Sequence, residues 1–288
     1  MSEKVWIDGK IMDAGEARIP VFDHGLLYGD GVFEGLRVHA RRVFRLADHI
    51  ARLSASAAGI GLALPLDGPT LRDAVLETAR ASGLEDAYVR LIVTRGDGPL
   101  GVDPTQCEKP RVICIVAGLS IWDAERRRRG LELITASVRR DPASAVDPRL
   151  KTLNYLGSVL AKREAVLAGA DDALLLNPAG AVAEASVGNV FAVIDGVLCT
   201  PPATDGALGG ITRDTLIEAA GALGIPVRVA TLGRVDLLRA EEAFLTGTGA
   251  GVVGIRSLDG VQISLERPVC EKLSRAYVER VSSEGCPV

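Results

Sequence analysis

Two-residue turns set between apolar runs constrain this chain more than any other feature. In "KVWIDGKIM" apolar residues flank Asp8-Gly9, and in "NVFAVIDGVLCT" they flank Asp195-Gly196. An Asp-Gly pair accepts the left-handed backbone of a tight hairpin, so each stretch predicts two antiparallel strands. "GVFEGLRV" and "RVFRL" predict another pair around "HARR". Helical periodicity runs through "LADHIARLSASAAGIGL" and through "LRDAVLETARASGL", which ends at Gly83. "AYVRLIVTRG" reads as a strand and "RVICIVAGLS" as a buried one. Strands, hairpins and helices mixed in this way predict an α+β fold.

A chain of 288 residues is too long for one small core and predicts two domains. The first covers 1–117. The charged stretch "IWDAERRRRG" supplies an interdomain linker over 118–129, with Arg126 to Arg129 as a solvated face. The second domain covers 130–288. It opens on the strand "LELITASV" and includes strands on either side of a turn at Pro178-Ala179-Gly180. No apolar run approaches the ~20 residues of a membrane span. "MSEKVWIDGK" has no apolar export core, which predicts a cytoplasmic protein. A net charge of -4 argues against a nucleic-acid surface. Five cysteines without paired or metal-type spacing fit free thiols in a reducing cytosol. His24, His39 and His49 are too scattered to predict a metal site.

"DPRLKTLNYLGSVLAKREA" poses the sharpest question. Leu153, Leu156, Leu160 and Leu167 recur at roughly helical spacing, and Pro148 marks a start. The pattern predicts a helix with Lys151 in its first turn, where the helix dipole opposes a cation. An amine kept neutral is a nucleophile toward aldehydes and forms a Schiff base. A solvent-facing lysine is the plain alternative.

The second half adds to this. "GGITRDT" puts Gly209, Gly210 and Ile211 ahead of Thr212, read as an N-cap, and a glycine-led helix start offers backbone N–H groups to a phosphate. "TGTGAG" offers another such loop, with Thr246 and Thr248 as hydroxyl donors. Neither matches a nucleotide loop, so a small monophosphate is expected. Glu184 stands among small apolar residues in a strand pattern, and a buried carboxylate needs a cationic or N–H partner. A protonated pyridine nitrogen would serve. An aldehyde-seeking lysine, a carboxylate wanting a ring N–H and two phosphate loops together point to pyridoxal 5'-phosphate.

The blocks "PVFDHGLLYGDGVFEGLRV", "FRLADHIARLSASA", "YVRLIVTRGDGPLGVDP", "KTLNYLGSVLAKREA", "VAEASVGNVF", "GGITRDT" and "FLTGTGAG" resemble, nearly end to end, a class IV aminotransferase. The chain is most similar to the branched-chain amino acid group. The resemblance implies a two-domain fold-type-IV enzyme, with the cofactor between an α+β domain and an α/β-barrel-like domain that carries the Schiff-base lysine. It implies Lys151 as that lysine and proton shuttle, Tyr155 at the cofactor's 3′-oxygen and Glu184 at the pyridine nitrogen. It implies phosphate ligands at Arg52, Gly210, Ile211, Thr212 and Thr248, with Asn189 in support. For substrate it implies Tyr88 and Arg90, which share a strand face, with Phe33, Gly35, Arg37 and Tyr28 lining the side-chain pocket, and Gly249. Tyr28 and the loop around Val102 would come from a neighbouring subunit, so a homodimer is expected, with no nucleic acid or membrane partner.

The family's usual Gly-Thr-Ala-Ala-Glu is "GTGAG" here, so Gly249 replaces an alanine and Gly251 an acidic residue. The expected reaction is transamination between a branched-chain or other apolar L-amino acid and 2-oxoglutarate, with Arg90 receiving the γ-carboxylate. A D-amino-acid transaminase, an aminodeoxychorismate-type lyase and a non-catalytic phosphate-ligand binding protein are the alternatives.

Overall fold

The computed structural model describes residues 3–119 and 121–288. Its contacts divide the chain into two compact units. The first takes the chain up to Leu119, then Leu150–Asn154 and Val281–Val288. The second takes the described residues 121–149 and Tyr155–Arg280.

The first unit begins with the hairpin of β1 (Lys4–Ile7) and β2 (Lys10–Asp13), turned by Asp8 and Gly9 at φ of 46° and 94°. A short helix, α1 (His24–Tyr28), precedes β3 (Gly31–His39) and β4 (Arg42–Val43). The "HARR" turn is made without glycine, by Ala40 and Arg41 in the left-handed region at φ of 47° and 58°. Then come α2 (Leu46–Gly59), α3 (Gly68–Ser82), β5 (Ala87–Thr94) and β6 (Arg111–Ala117). The sheet order is the C-terminal strand Cys286–Pro287, then β4, β3, β5, β6, β1 and β2, with every pairing antiparallel.

α3 starts where it does because Asp67 accepts from Thr70 N–H, and it stops because Gly83 adopts the left-handed cap at φ of 69°. α2 buries Leu46, His49, Ile50, Leu53, Ser56 and Ala57, a stripe at helical spacing. That stripe packs with α3 on one face of the sheet, against Val32, Leu36, Val38, Val89, Leu91 and Val93. Each fully buried aliphatic side chain of this kind contributes about 1.5–3 kcal/mol. The opposite phase of β3 and β5 is thereby left for chemistry.

The second unit holds α4 (Ala124–Arg129), β7 (Leu131–Arg139), α5 (Leu156–Leu167), β8 (Asp172–Leu176), β9 (Val182–Ala185), β10 (Asn189–Ile194) and β11 (Val197–Thr200). It continues with α6 (Ile211–Ala222), β12 (Val227–Val229), α7 (Arg234–Arg239), β13 (Glu242–Gly247), β14 (Gly251–Leu258), β15 (Val261–Gln262) and α8 (Pro268–Ser283). Its mixed sheet runs β12, β11, β10, β13, β14, β7, β8, β9, with β15 on β14. Asp195 and Gly196 turn the β10–β11 hairpin at φ of 51° and 70°.

None of the arginine run is buried, in keeping with the solvated face its composition predicts, but two of its members also serve a buried acid. The run forms α4, capped by Asp123, and Arg126 and Arg129 both clamp the buried Asp171 at 2.9 and 2.8 Å. A carboxylate buried at the start of β8 needs cations, and α4 supplies them. Glu242 explains the start of α8 in the same way, accepting from Val269 and Cys270 N–H at 2.9 and 2.8 Å.

Candidate active site

Lys151 does not stand at a helix N-terminus, because α5 begins only at Leu156. The segment around Lys151 lies along β3 instead. Phe33 donates its N–H to Lys151 O at 3.0 Å, Leu153 donates to Gly31 O at 2.9 Å, and Val32 bridges Thr152. These backbone groups find partners on a strand, so the segment stays extended. From α2, Ser56 Oγ accepts the Lys151 N–H at 3.0 Å. Lys151 Nζ sits 4.4 Å from the centre of the Phe33 ring.

The leucine spacing also misreads the face of α5. The helix buries Ser158, Ala161 and Ala165, while Leu156, Leu160 and Leu167 are exposed. Small residues allow its close packing on β7 and β8. Tyr155 is its N-cap residue.

β3 and β5 build the substrate-side candidates. Their register sets Phe33 opposite Ile92, Gly35 opposite Arg90 and Arg37 opposite Tyr88. Strand alternation puts Phe33, Gly35, Arg37, Tyr88 and Arg90 on the face away from α2 and α3. The Arg90 guanidinium lies 4.4 Å from the Phe33 ring centre and 5.5 Å from that of Tyr88, and it donates to Tyr88 Oη at 3.3 Å. Arg90 Nε is buried and has no hydrogen-bond partner among the described residues. Gly35 makes the room, since a Cβ there would stand 1.9 Å from Tyr88 Oη. Arg37 is half-buried, with its guanidinium 3.4 Å from Leu119 O.

Tyr28 closes α1, and its hydroxyl accepts the Gly101 N–H at 2.8 Å. His24 Nε2 is 3.0 Å from Pro99 O. α1 therefore holds the loop that carries Val102, whose side chain is 82 % exposed.

Arg52 is gripped from behind. Its Nε and NH2 donate to Glu34 Oε1 and Oε2 at 2.7 and 2.8 Å, and His49 Nδ1 meets Oε2 at 2.7 Å. Burial by itself would raise the Glu34 pKa, but the hydrogen bonds from Arg52 and His49 outweigh it and hold the carboxyl at about 2. Burial lowers the His49 pKa, and the Arg52 and Lys151 cations push the same way against Glu34. A neutral His49 that donates Nδ1–H to an ionised Glu34 satisfies both.

In the second unit, the Glu184 carboxylate is not alone among apolar residues. Arg140 reaches Oε1 at 2.9 Å and Leu208 N–H donates to Oε2 at 3.1 Å. Arg140 also donates to Gly206 O at 3.2 Å, and Asn189 Nδ2 donates to Leu208 O at 2.8 Å. The loop entering α6 is thus tied at two carbonyls. Its N-cap is Gly210 rather than Thr212, which is the second helical residue and is buried. A Cβ at 210 would come 1.9 Å from Asn189 Oδ1, so only glycine lets that amide approach. The helix consequently starts with no side-chain cap. The N–H groups of Ile211 and Thr212 fall in the first turn, outside the helical ladder, where an anion is favoured.

Thr246, in β13, is fully buried, and its Oγ1 has no partner among the described residues. Thr248, Gly249 and Ala250 make the turn between β13 and β14, closed by Gly247 opposite Gly251. No group of three or more metal-type side chains gathers among the described residues.

These groups fit pyridoxal phosphate by their chemistry. A buried carboxylate paired with Arg140 suits a ring N–H, an uncapped helix start suits a phosphate, and a lysine amine on an aromatic face suits an aldehyde carbon. Sequence reasoning missed Glu34, His49 and Arg140. The signal for Glu34 was its phase, because it falls between Val32 and Leu36 on the inward side of β3.

The amino-transferase class IV family profile matches residues 31–258. A putative branched-chain-amino-acid aminotransferase of Methanocaldococcus jannaschii is 47% identical over 287 residues, covering 99% of each chain. The crystal structure of the Escherichia coli branched-chain amino acid aminotransferase superposes with a TM-score of 0.95 at 32% identity, covering 99% of this chain and 96% of that one. The branched-chain aminotransferase of the thermophilic archaeon Thermoproteus uzoniensis, crystallised with norvaline, superposes with a TM-score of 0.92 at 37% identity, covering 98% and 96%.

Proposed function

We infer the function from family membership: the chain belongs to the class IV amino-transferase family and is a pyridoxal-phosphate-dependent aminotransferase. Its reaction is transfer of the amino group between a branched-chain or other apolar L-amino acid and 2-oxoglutarate. The observation that carries the substrate side is the Phe33 ring, with Lys151 Nζ and the Arg90 guanidinium each 4.4 Å from its centre. An amine that handles Cα and a cation that receives carboxylate thus share one apolar wall, which suits a substrate of amino acid type.

When bound, pyridoxal phosphate supplies a carbonyl carbon for the amine and a ring that draws electron density from the substrate's α-carbon. Lys151 Nζ takes the α-proton and later returns it, as general base and then acid. Glu184, held by Arg140 and the Leu208 N–H, would accept the ring N–H. Tyr155 meets the 3′-oxygen. Ile211 and Thr212 N–H groups, the Thr212 and Thr248 hydroxyls, Gly210 and Arg52 receive the phosphate. Arg90 binds the γ-carboxylate of glutamate or 2-oxoglutarate, with its unpartnered Nε as one donor. Phe33, Gly35, Arg37 and Tyr88 shape the space for an apolar side chain, and Gly249 offers its N–H to the α-carboxylate.

A homodimer completes this reading. Val102 and Leu100 stand 82 % and 73 % exposed on a loop pinned by Tyr28 and His24, and a second copy of the chain is their expected cover. Five free cysteines suit a reducing, cytoplasmic setting. No helix among the described residues is long and apolar enough to cross a membrane.

The test is a donor screen with L- and D-enantiomers against 2-oxoglutarate and pyruvate. L-valine, L-leucine, L-isoleucine and L-glutamate should lead. A preference for D-alanine or D-glutamate would replace this reading with the D-amino-acid one.

A further inference from the structure

Glu34 interrupts the apolar inward face of β3, between Val32 and Leu36, and it is fully buried. Two residues one turn apart on α2 meet it. Arg52 does so with two parallel hydrogen bonds of 2.7 and 2.8 Å, and His49 with one of 2.7 Å. Such a cluster is a poor device for stability alone, because desolvating the charges offsets most of their attraction and apolar residues of similar volume do as well. What a fork-to-fork pair supplies is orientation. Two bonds on one edge of a planar guanidinium fix both its position and its plane, and they turn the opposite edge in a single direction. The same helix also holds the lysine segment, through Ser56 and the Lys151 N–H. α2 therefore sets Arg52 and Lys151 from one frame.

We propose that Glu34 is a positioning residue for phosphate recognition: by gripping the Nε edge of Arg52, with His49 bracing its carboxylate, it aims the guanidinium at the cofactor phosphate. This rests on Arg52 being a phosphate ligand. His49 stays neutral in this arrangement, so it braces Glu34 without adding a second cation behind Arg52.

The experiment compares binding of pyridoxal phosphate and of pyridoxal, which lacks the phosphate, to the full-length chain freed of cofactor. The readout is the ratio of the two affinities. Arg52→Met should cut that ratio about ten- to hundredfold. An unchanged ratio in Arg52→Met removes Arg52 from the phosphate site and overturns the proposal with it. Given the loss in Arg52→Met, Glu34→Gln should lower the ratio by about tenfold or more. The double variant should then be little worse than Arg52→Met alone, because Glu34 acts only through Arg52. Glu34→Asp keeps the charge but withdraws the carboxylate by one methylene, and it should move the ratio in the same direction should Glu34→Gln fail to fold. A general structural role lowers both affinities by the same factor. That result, an unchanged ratio in the Glu34 variants, or full additivity with Arg52→Met overturns the proposal and leaves the reading of Arg52 intact.

Discussion

Lys151 Nζ stands 4.4 Å from the centre of the Phe33 ring, held there by backbone bonds between their two segments rather than by a helix. The strand that presents the aromatic surface thus also fixes the height of the amine above it. The Arg90 guanidinium lies at the same distance from the same ring, so in the proposed reaction one side chain would set both the amine chemistry and the carboxylate recognition.

Replacing Lys151 with alanine removes the group proposed to handle the proton. Transamination should fall by at least ~10³-fold, the upper part of what a single general base contributes and more when the same amine is the nucleophile. The melting temperature should change little, since the hydrogen bonds that tie this segment to β3 run through its backbone. Near-normal turnover in a stopped assay would remove Lys151 from the mechanism.

Arg90→Met should hurt glutamate and 2-oxoglutarate far more than leucine. One charge-assisted contact of ~1.5–3 kcal/mol corresponds to roughly a ten- to hundredfold selective loss in kcat/KM. Stability should hold, because the guanidinium contacts Phe33 and Tyr88 rather than a carboxylate. Equal losses for both substrate types would assign Arg90 a structural role.

Arg140→Met leaves Glu184 with one fewer partner in a buried setting. Breaking a buried pair from one side costs about 3–5 kcal/mol, so the cofactor-free chain should melt markedly lower. Single-turnover proton transfer should slow in parallel with Glu184→Gln. A variant as stable as the parent in urea would mean the pair does not hold the carboxylate.

Gly35→Ala carries no backbone penalty, but its Cβ would lie 1.9 Å from Tyr88 Oη. The tyrosine ring can swing aside, so the fold should survive while Tyr88 leaves the Arg90 guanidinium. KM for the dicarboxylic substrate should rise more than kcat falls. An unaltered KM would show that Tyr88 plays no part in orienting Arg90.

Acid should find Glu34. Its folded pKa of about 2 lies below the ordinary 4.5, so its contribution to stability is complete above about 4.5 and is lost as pH falls toward about 2. Urea unfolding across that window should show a steeper loss in the parent than in Glu34→Gln. Parallel curves would mean the carboxylate is not held ionic by Arg52 and His49.

Periodicity and turn chemistry determined much of the fold without help. Asp8-Gly9, Asp195-Gly196 and Gly83 act within a few residues, through backbone conformations that few other side chains tolerate, so their outcome is legible locally. The motif blocks likewise pointed to Lys151, Glu184 and the start of α6. Only the tertiary structure decided how those groups are held. Lys151 lies alongside a strand because β3 offers its segment backbone partners. α5 turns its leucines outward because close packing on the sheet selects Ser158, Ala161 and Ala165. Arg140 and Leu208 meet Glu184, and His49 and Arg52 meet Glu34, across sequence gaps of 15 to 44 residues. Such pairings are chosen by which buried charges the folded chain must neutralise, and no local pattern encodes that choice.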